Sequence, residues 1–233
     1  MKKFTLRTLF MAVAFLMPFM ADAQTYEVYK NNGEVMVLDY NEVDSIVFKA
    51  PEKKPDPTAT EYVDLGLSVK WATCNLGAST PYEFGDYFAW GEVEPKEVFT
   101  KENSTTYMKE VGGDISGDAQ YDAATAILGA EWRMPIYEEF EELCNQCTWE
   151  WTKIEGTQGY LITGPNGNSI FLPAAGRMDG DVLTYTNFSG LYWMGSFVDK
   201  QCSFCLLFDI ESYTAFCSDY RYHGLVIRPV RAE

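Results

Sequence analysis

Six cysteines, one histidine and thirty-four carboxylates are the side chains of this 233-residue chain best suited to chemistry, and their spacing restricts what they can do. Cys144-x-x-Cys147 and Cys202-x-x-Cys205 each have the spacing of a zinc half-site, in which two thiolates take neighbouring corners of a tetrahedron. The long interval between the pairs, and the lack of a histidine beside either, argue against a shared ion. His223, in Tyr220-Arg221-Tyr222-His223-Gly224, is the only imidazole, so multi-histidine metal sites are excluded and most hydrolase arrangements lose their base. Its place beside the last expected strand reads as a surface or turn position. With so many acids, some carboxylate pair always has a glycosidase-like separation, which gives such pairs no specificity. Gly164-Pro165-Asn166-Gly167-Asn168 lacks the following helix and the Lys-Ser or Lys-Thr that a phosphate loop needs. Gly112-Gly113-Asp114-Ile115-Ser116-Gly117-Asp118 matches neither an EF-hand nor a repeated calcium motif and reads as a solvated loop. No metal, no cofactor and no catalytic residue is expected, and the chain reads as a non-enzyme.

The elements that would position these residues begin with an export signal. Lys2, Lys3 and Arg7 precede an apolar run over residues 9–20 and then Ala21-Asp22-Ala23, the three parts of a secretory signal cleaved after Ala23. The run is shorter than the roughly 20 residues a membrane-spanning helix needs. An exported chain is therefore expected, periplasmic, cell-surface or extracellular, with Gln24 as its first residue and no later transmembrane segment. Loss of residues 1–23 removes three basic groups and one acid and moves the formal charge from −16 to −18. That charge disfavours nucleic acid and anionic membrane as partners. Residues 24–49 read as a small β-unit, with strands over 26–30, 35–38 and 45–48 and a hairpin turn at Asn31-Asn32-Gly33. Residues 50–60, with Pro51, Pro55 and Pro57 among charges, make an extended linker, and the main domain spans 61–233. There, Pro135 is expected to open a helix with Phe140 and Leu143 on its apolar face, and a shorter helix covers 122–127. After Thr148 the pattern is mostly strands, with a hairpin joining 159–163 to 169–173. Fifteen tyrosines and six tryptophans suggest an aromatic binding surface.

Tyr62-Val63-Asp64-Leu65-Gly66-Leu67-Ser68-Val69-Lys70-Trp71-Ala72-Thr73-Cys74-Asn75, followed by Gly85-Asp86-Tyr87-Phe88-Ala89-Trp90-Gly91-Glu92, resembles the Fibrobacter succinogenes major paralogous domain family. The likeness continues through Asp122-Ala123-Ala124-Thr125-Ala126, Trp132-Arg133-Met134-Pro135, Cys147-Thr148-Trp149 and Asn166-Gly167-Asn168-Ser169-Ile170-Phe171-Leu172-Pro173-Ala174-Ala175-Gly176, and closes with Arg228-Pro229-Val230-Arg231. The resemblance implies an α+β, C-type-lectin-like fold with helices beside a twisted, mostly antiparallel sheet. Formylglycine-generating enzymes and the variable proteins of diversity-generating retroelements share that fold, so it does not name an activity. Because Cys74 and Cys147 lie in shared motifs, the resemblance also implies a disulfide between them. A formylglycine-generating alternative would use Cys202 and Cys205, but their spacing is shorter than that family's and the basic, serine-bearing surroundings are missing. Calcium-dependent lectins of this fold carry Glu-Pro-Asn or Gln-Pro-Asp together with Trp-Asn-Asp. This chain has Gly164-Pro165-Asn166 and no Trp-Asn-Asp, which implies calcium independence.

Two functions remain: a recognition module for a glycan or protein ligand, and a structural or assembly component that joins other chains by strand addition through residues 25–48. In the recognition reading the contacts fall between Asn187 and Tyr222, the stretch in which the variable proteins display their exposed residues. The expected ligand-binding set is Tyr192, Phe197, Asp199, Gln201, Glu211, Tyr213, Asp219, Tyr220 and Tyr222. Residues 197–201 and 209–213 read as loops and 203–208 and 214–220 as paired strands, while alternation sends Trp193, Leu206, Phe208 and Ile227 to the core. A hairpin pairing Phe208 with Thr214 sets Cys205 opposite Cys217, within reach of a disulfide where the position is not a hydrogen-bonded one. The first prediction concerns the export signal: intact mass spectrometry of the exported protein should give a chain starting at Gln24. A mass retaining Met1 to Ala23 would count against export.

Overall fold

The computed structural model describes residues 25–29, 35–39 and 61–232, and the chain divides into two units, Met1–Glu52 and Lys53–Glu233. In the first, β1 (Thr25–Tyr29) and β2 (Val35–Asp39) pair antiparallel, with Glu27 opposite Val37. The expected signal segment, the strand over 45–48 and the linker 50–60 lie outside the described residues.

The second unit is α+β, with two short helices and mostly antiparallel sheets. Its first sheet closes the domain on itself: β3 (Tyr62–Asp64) and β4 (Lys70–Ala72) are joined by β13 (Val230–Arg231), and Val230 lies opposite Trp71. A meander follows, β5 (Thr148–Ile154), β6 (Thr157–Thr163) and β7 (Ser169–Pro173). Its first turn is Glu155-Gly156, both at positive φ, 47° and 92°, as a two-residue turn of the type I′ kind requires. Its second turn reaches back to β3, with the Asn166 and Asn168 side-chain amides both donating to Asp64 O. A small hairpin, β8 (Arg177–Asp179) with β9 (Val182–Thr184), leads into the longest sheet, β10 (Ser189–Phe197), β11 (Cys202–Asp209) and β12 (Tyr213–Tyr220).

Both helices start on carboxylates. Asp122, buried, caps α1 (Ala123–Leu128) by accepting from the Ala124 and Thr125 amides. Its other oxygen accepts from Gly117 N and Met134 N, so one side chain ties the loop before the helix to the strand-like segment after it. The second helix, α2, runs Tyr137–Gln146, two residues later than an opening at Pro135. The reason lies in Glu139, whose carboxylate reaches back 2.9 Å to the Ile136 amide and is itself held by Arg133. The Pro135 carbonyl is engaged elsewhere, accepting from Gly195 N.

Strand alternation distributes the core. Along β10, Tyr192 and Met194 enter one buried cluster with Trp71, Phe140, Leu172, Leu206 and Phe208. Leu191 and Trp193 enter another, with Phe88, Trp90, Met134, Cys205 and Ile227. This strand is therefore covered on both faces. Gly190 belongs to the same arrangement, because a Cβ there would stand 2.0 Å from the Phe208 ring. Two irregularities bend the sheet. On β10 the register jumps between Trp193 and Phe197. On β12, Ala215 and Phe216 together oppose Leu206, a bulge that leaves Ala215 buried and Phe216 exposed. The Phe216 amide freed by the bulge is taken by Thr214 Oγ1 at 3.0 Å. The hairpin thus pairs Phe208 with Tyr213, one residue from the expected register, and the bulge restores Cys205 opposite Cys217.

At the domain closure sits Arg228, fully buried. Its Nε donates to Asn75 Oδ1 at 2.8 Å, Nη1 to Ala72 O and Thr73 O, and Nη2 to Phe171 O at 2.9 Å. Removing the guanidinium strands four buried acceptors at once. We expect Arg228→Met to lose about 3–5 kcal/mol, as when one partner of a buried charged network is deleted. Arg228→Lys should lose nearly as much, because an ammonium cannot span the fork. Urea denaturation of the mature protein checks this; a midpoint unchanged in both variants would show that the network contributes little.

Candidate functional site

The predicted binding residues are separated by the fold before any are brought together. Tyr192 is fully buried, stacked on Phe208 at 5.8 Å, with its hydroxyl donating 2.7 Å to Pro173 O and accepting from Asn75. Burial raises its phenol far above the usual tyrosine range. It is a core residue and leaves the binding set, because the second face of β10 is covered by segments distant in sequence. Glu211 and Tyr213 are exposed at the tip of the β11–β12 hairpin, where Tyr213 lies flat on Trp149 at 4.2 Å. Tyr220 ends the same strand, roughly 20 Å away at a strand rise of about 3.3 Å per residue. One small ligand cannot touch both.

At the Tyr220 end three segments converge. The strand β12 runs out through Tyr220, and a turn closed by the His223 amide on Tyr220 O carries Arg221 and Tyr222 across it. The β10–β11 loop is pinned beside this turn, since Arg221 N donates to Gln201 O at 2.8 Å. Within the loop Asp199 Oδ1 accepts from the Gln201 and Cys202 amides, and these bonds hold its carboxyl below the usual range. Asp199 therefore shapes the loop that exposes Gln201 and follows the exposed Phe197 at the end of β10. The third segment contains Tyr107. Its neighbour Met108 donates its amide to Lys200 O at 2.7 Å, and Lys200 forms an ion pair with Glu110.

The result is a group of tyrosines on a polar base. Tyr220 stacks on Tyr222 with centroids 5.3 Å apart and planes 16° from parallel, and Tyr107 meets Tyr222 edge-on at 5.0 Å. The Lys101 ammonium lies 5.6–6.0 Å from all three ring centroids. Beneath the rings His223 is buried, contrary to its surface reading, because Asp219 four residues earlier accepts from its Nδ1 at 2.7 Å. Asp219 also accepts from the Tyr220 amide and pairs with Arg177 at 2.9 Å, so it supports the tyrosines from below and does not face solvent as a contact residue should. On the other side of His223, Nε2 lies 3.6 Å from Asp179 Oδ1. Arg221 is buried with its guanidinium 4.2 Å from the Trp90 ring. Of the predicted set, Asp199, Gln201, Tyr220 and Tyr222 are assembled here with Asp219 beneath them, and Phe197 stands at the end of β10. Lys101 and Tyr107 were missed. They lie more than a hundred residues before Tyr220, and no local pattern marks them.

The thiols form no comparable centre. Cys202 and Cys205 are three apart on β11 and so point to opposite faces, which suits neither a shared metal nor a working dithiol. Burial pushes the thiol of Cys144 up to about 12 and that of Cys147 to about 11. All six cysteines are free thiols, Cys74 and Cys147 among them. Counting in twos from the Gln201–Arg221 hydrogen bond makes Cys205–Cys217 a hydrogen-bonded pair, so the position is not the kind at which a bond was expected. The buried Cys205 thiol hydrogen-bonds Cys217, lowering the latter to about 7. Among the described residues no group of three or more His, Cys, Asp and Glu is placed to hold a metal ion, and no helix is long and apolar enough to cross a membrane. A shallow cavity of about 460 Å3 lies between Glu92, Glu94, Thr105, Gln120 and Tyr121. Its Glu92 is occupied internally by Lys96 and the Thr105 amide.

No family model, no curated protein and no solved structure matches the chain.

Burial works to raise the Asp219 carboxyl, but the hydrogen bond and charge of His223 and the charge of Arg177 outweigh it, and the group sits below the usual range. The ionised carboxylate therefore stabilises the fold above the unfolded Asp pKa of about 3.9, and this stabilisation is lost as pH falls from there through the depressed value. Asp219→Asn should be less stable than the parent at pH 7, with the gap narrowing across the acid window that opens as pH falls below about 4. Urea midpoints across that window provide the measurement, and a gap independent of pH would overturn the assignment.

Proposed function

We propose that the chain is an exported, non-catalytic recognition module of the major paralogous domain family, with a C-type-lectin-like fold. Its ligand, a glycan or a protein, seats without calcium on the face made by Tyr107, Tyr220 and Tyr222. The observation that carries this reading is the stacked pair of exposed Tyr220 and half-buried Tyr222, fixed from below by the Asp219–His223–Arg177 network. Tyrosine offers a large apolar face with a polar end at small conformational cost, which is why such side chains anchor binding surfaces. Gln201 and the β10–β11 loop supply polar groups at the rim. The export signal supports a place at or beyond the cell surface. The assembly reading keeps one supporting feature, that β1 and β2 pair only with each other among the described residues, which leaves strand edges for addition.

An array of glycans and extracellular proteins, probed with the mature chain, tests the proposal. Tyr220→Ala should weaken binding roughly 5- to 30-fold, about 1–2 kcal/mol, with little change in thermal midpoint because the side chain is substantially exposed. Tyr213→Ala, at the far end of the hairpin, should bind as the parent does. No bound ligand, or equal losses in the two variants, would sink the assignment of this face.

A further inference from the structure

We propose that Tyr107, Tyr220 and Tyr222 form a cage for an organic ammonium group, occupied at rest by the chain's own Lys101 and opened when a lysine of a partner polypeptide takes its place. The inference rests on the recognition reading above and names the chemistry its ligand would carry. Tyr220 and Tyr222 lie on one another, Tyr107 meets Tyr222 edge-on, and a single cation stands beside this cluster, with Lys101 Nζ 6.0 Å from the Tyr107 centroid, 6.0 Å from Tyr220 and 5.6 Å from Tyr222. The negative faces of aromatic rings attract ammonium groups at such distances, and several rings act together. Burial, and then the nearby Asp179 and Asp219 carboxylates, raise the Tyr222 phenol. Asp219 is paired with Arg177 and His223, which leaves the exposed Asp179 as the carboxylate on this side of the ring.

Lys101 is exposed and makes no ion pair among the described residues, so the rings are its visible partners. A contact of this kind is weak in water and is favoured here by the tether, which gives the side chain a high effective concentration at the cage. A lysine presented by a docked polypeptide has the same ammonium and the same apolar stem, and could replace it without rearranging the rings. That the site already accepts a lysine is the argument for a polypeptide source over a choline-type headgroup.

The test titrates the full mature chain with choline and with its uncharged carbon isostere 3,3-dimethylbutan-1-ol, following tyrosine ring resonances by NMR. Lys101→Ala should tighten choline binding at least fivefold and leave the neutral isostere without effect. Tyr220→Leu should weaken choline binding at least fivefold, whereas Tyr220→Phe, which keeps the ring, should not. A short acetylated peptide bearing one lysine should shift the same resonances, and its norleucine counterpart should not. Equal responses to the charged and neutral probes, or no gain in Lys101→Ala, would overturn the cage. A preference for choline with no response to the lysine peptide would overturn the polypeptide source. If an array ligand binds undiminished under saturating choline, the recognition reading stands and the cage falls. If choline binds while the array stays blank, the cage stands and the wider reading falls.

Discussion

A guanidinium placed where water cannot reach it organises this domain. Taking a charge out of water is costly, and it persists only where hydrogen bonds compensate the loss. Arg228 meets that condition with main-chain carbonyls: those of Ala72 and Thr73, at the end of β4, and that of Phe171, on β7, joined by the side chain of Asn75. Asn75 passes the connection on to Phe84 O and the Tyr192 hydroxyl, and Tyr192 passes it to Pro173 O. Four stretches of chain are thereby registered against the C-terminal segment. The pairing of β13 with β4, and the bridge between Arg133 and Val230, lie in the same C-terminal segment, two residues beyond Arg228.

The central strand β10 follows from the same closure. With Tyr192 drawn toward Asn75 on one face and Trp193 donating to Phe88 O on the other, neither side of the strand is left for solvent. Its ends are therefore where the sheet can present anything, and the irregularities of register control how. The bulge on β12 turns Phe216 outward beside Phe204 and Tyr137, while Cys205 and Cys217 keep their opposition. At the far end the β10–β11 loop lies against the turn after Tyr220, bringing the Lys101–Glu110 segment to the same edge. The hairpin tip and the tyrosine end belong to one sheet but are separate surfaces.

The tyrosine face also shows how polar and aromatic groups divide the work of a surface. His223 is buried against the Tyr220 and Tyr222 rings and held by Asp219, which Arg177 pairs in turn, so the polar groups fix the orientation of the rings. The rings supply area.

Local chemistry was legible in the sequence wherever the physics is local. Period-two alternation placed Trp193, Leu206, Phe208 and Ile227 inside, the glycine- and asparagine-rich turn marked the β6–β7 hairpin, and the loops and strands between Phe197 and Tyr220 fell close to their observed bounds. Alternation states only that neighbours face opposite ways; whether each face is covered depends on what packs there from elsewhere. Tyr192 therefore read as a binder and is core, His223 read as exposed and is buried, and the start of α2 shifted with the Arg133–Glu139 pair. The contact of Lys101 and Tyr107 with Tyr220 and Tyr222 has no local signature at all. The domain closes through Arg228 and through hydrogen bonds between loops far apart in sequence, and only that closure decides which aromatic residues share a surface.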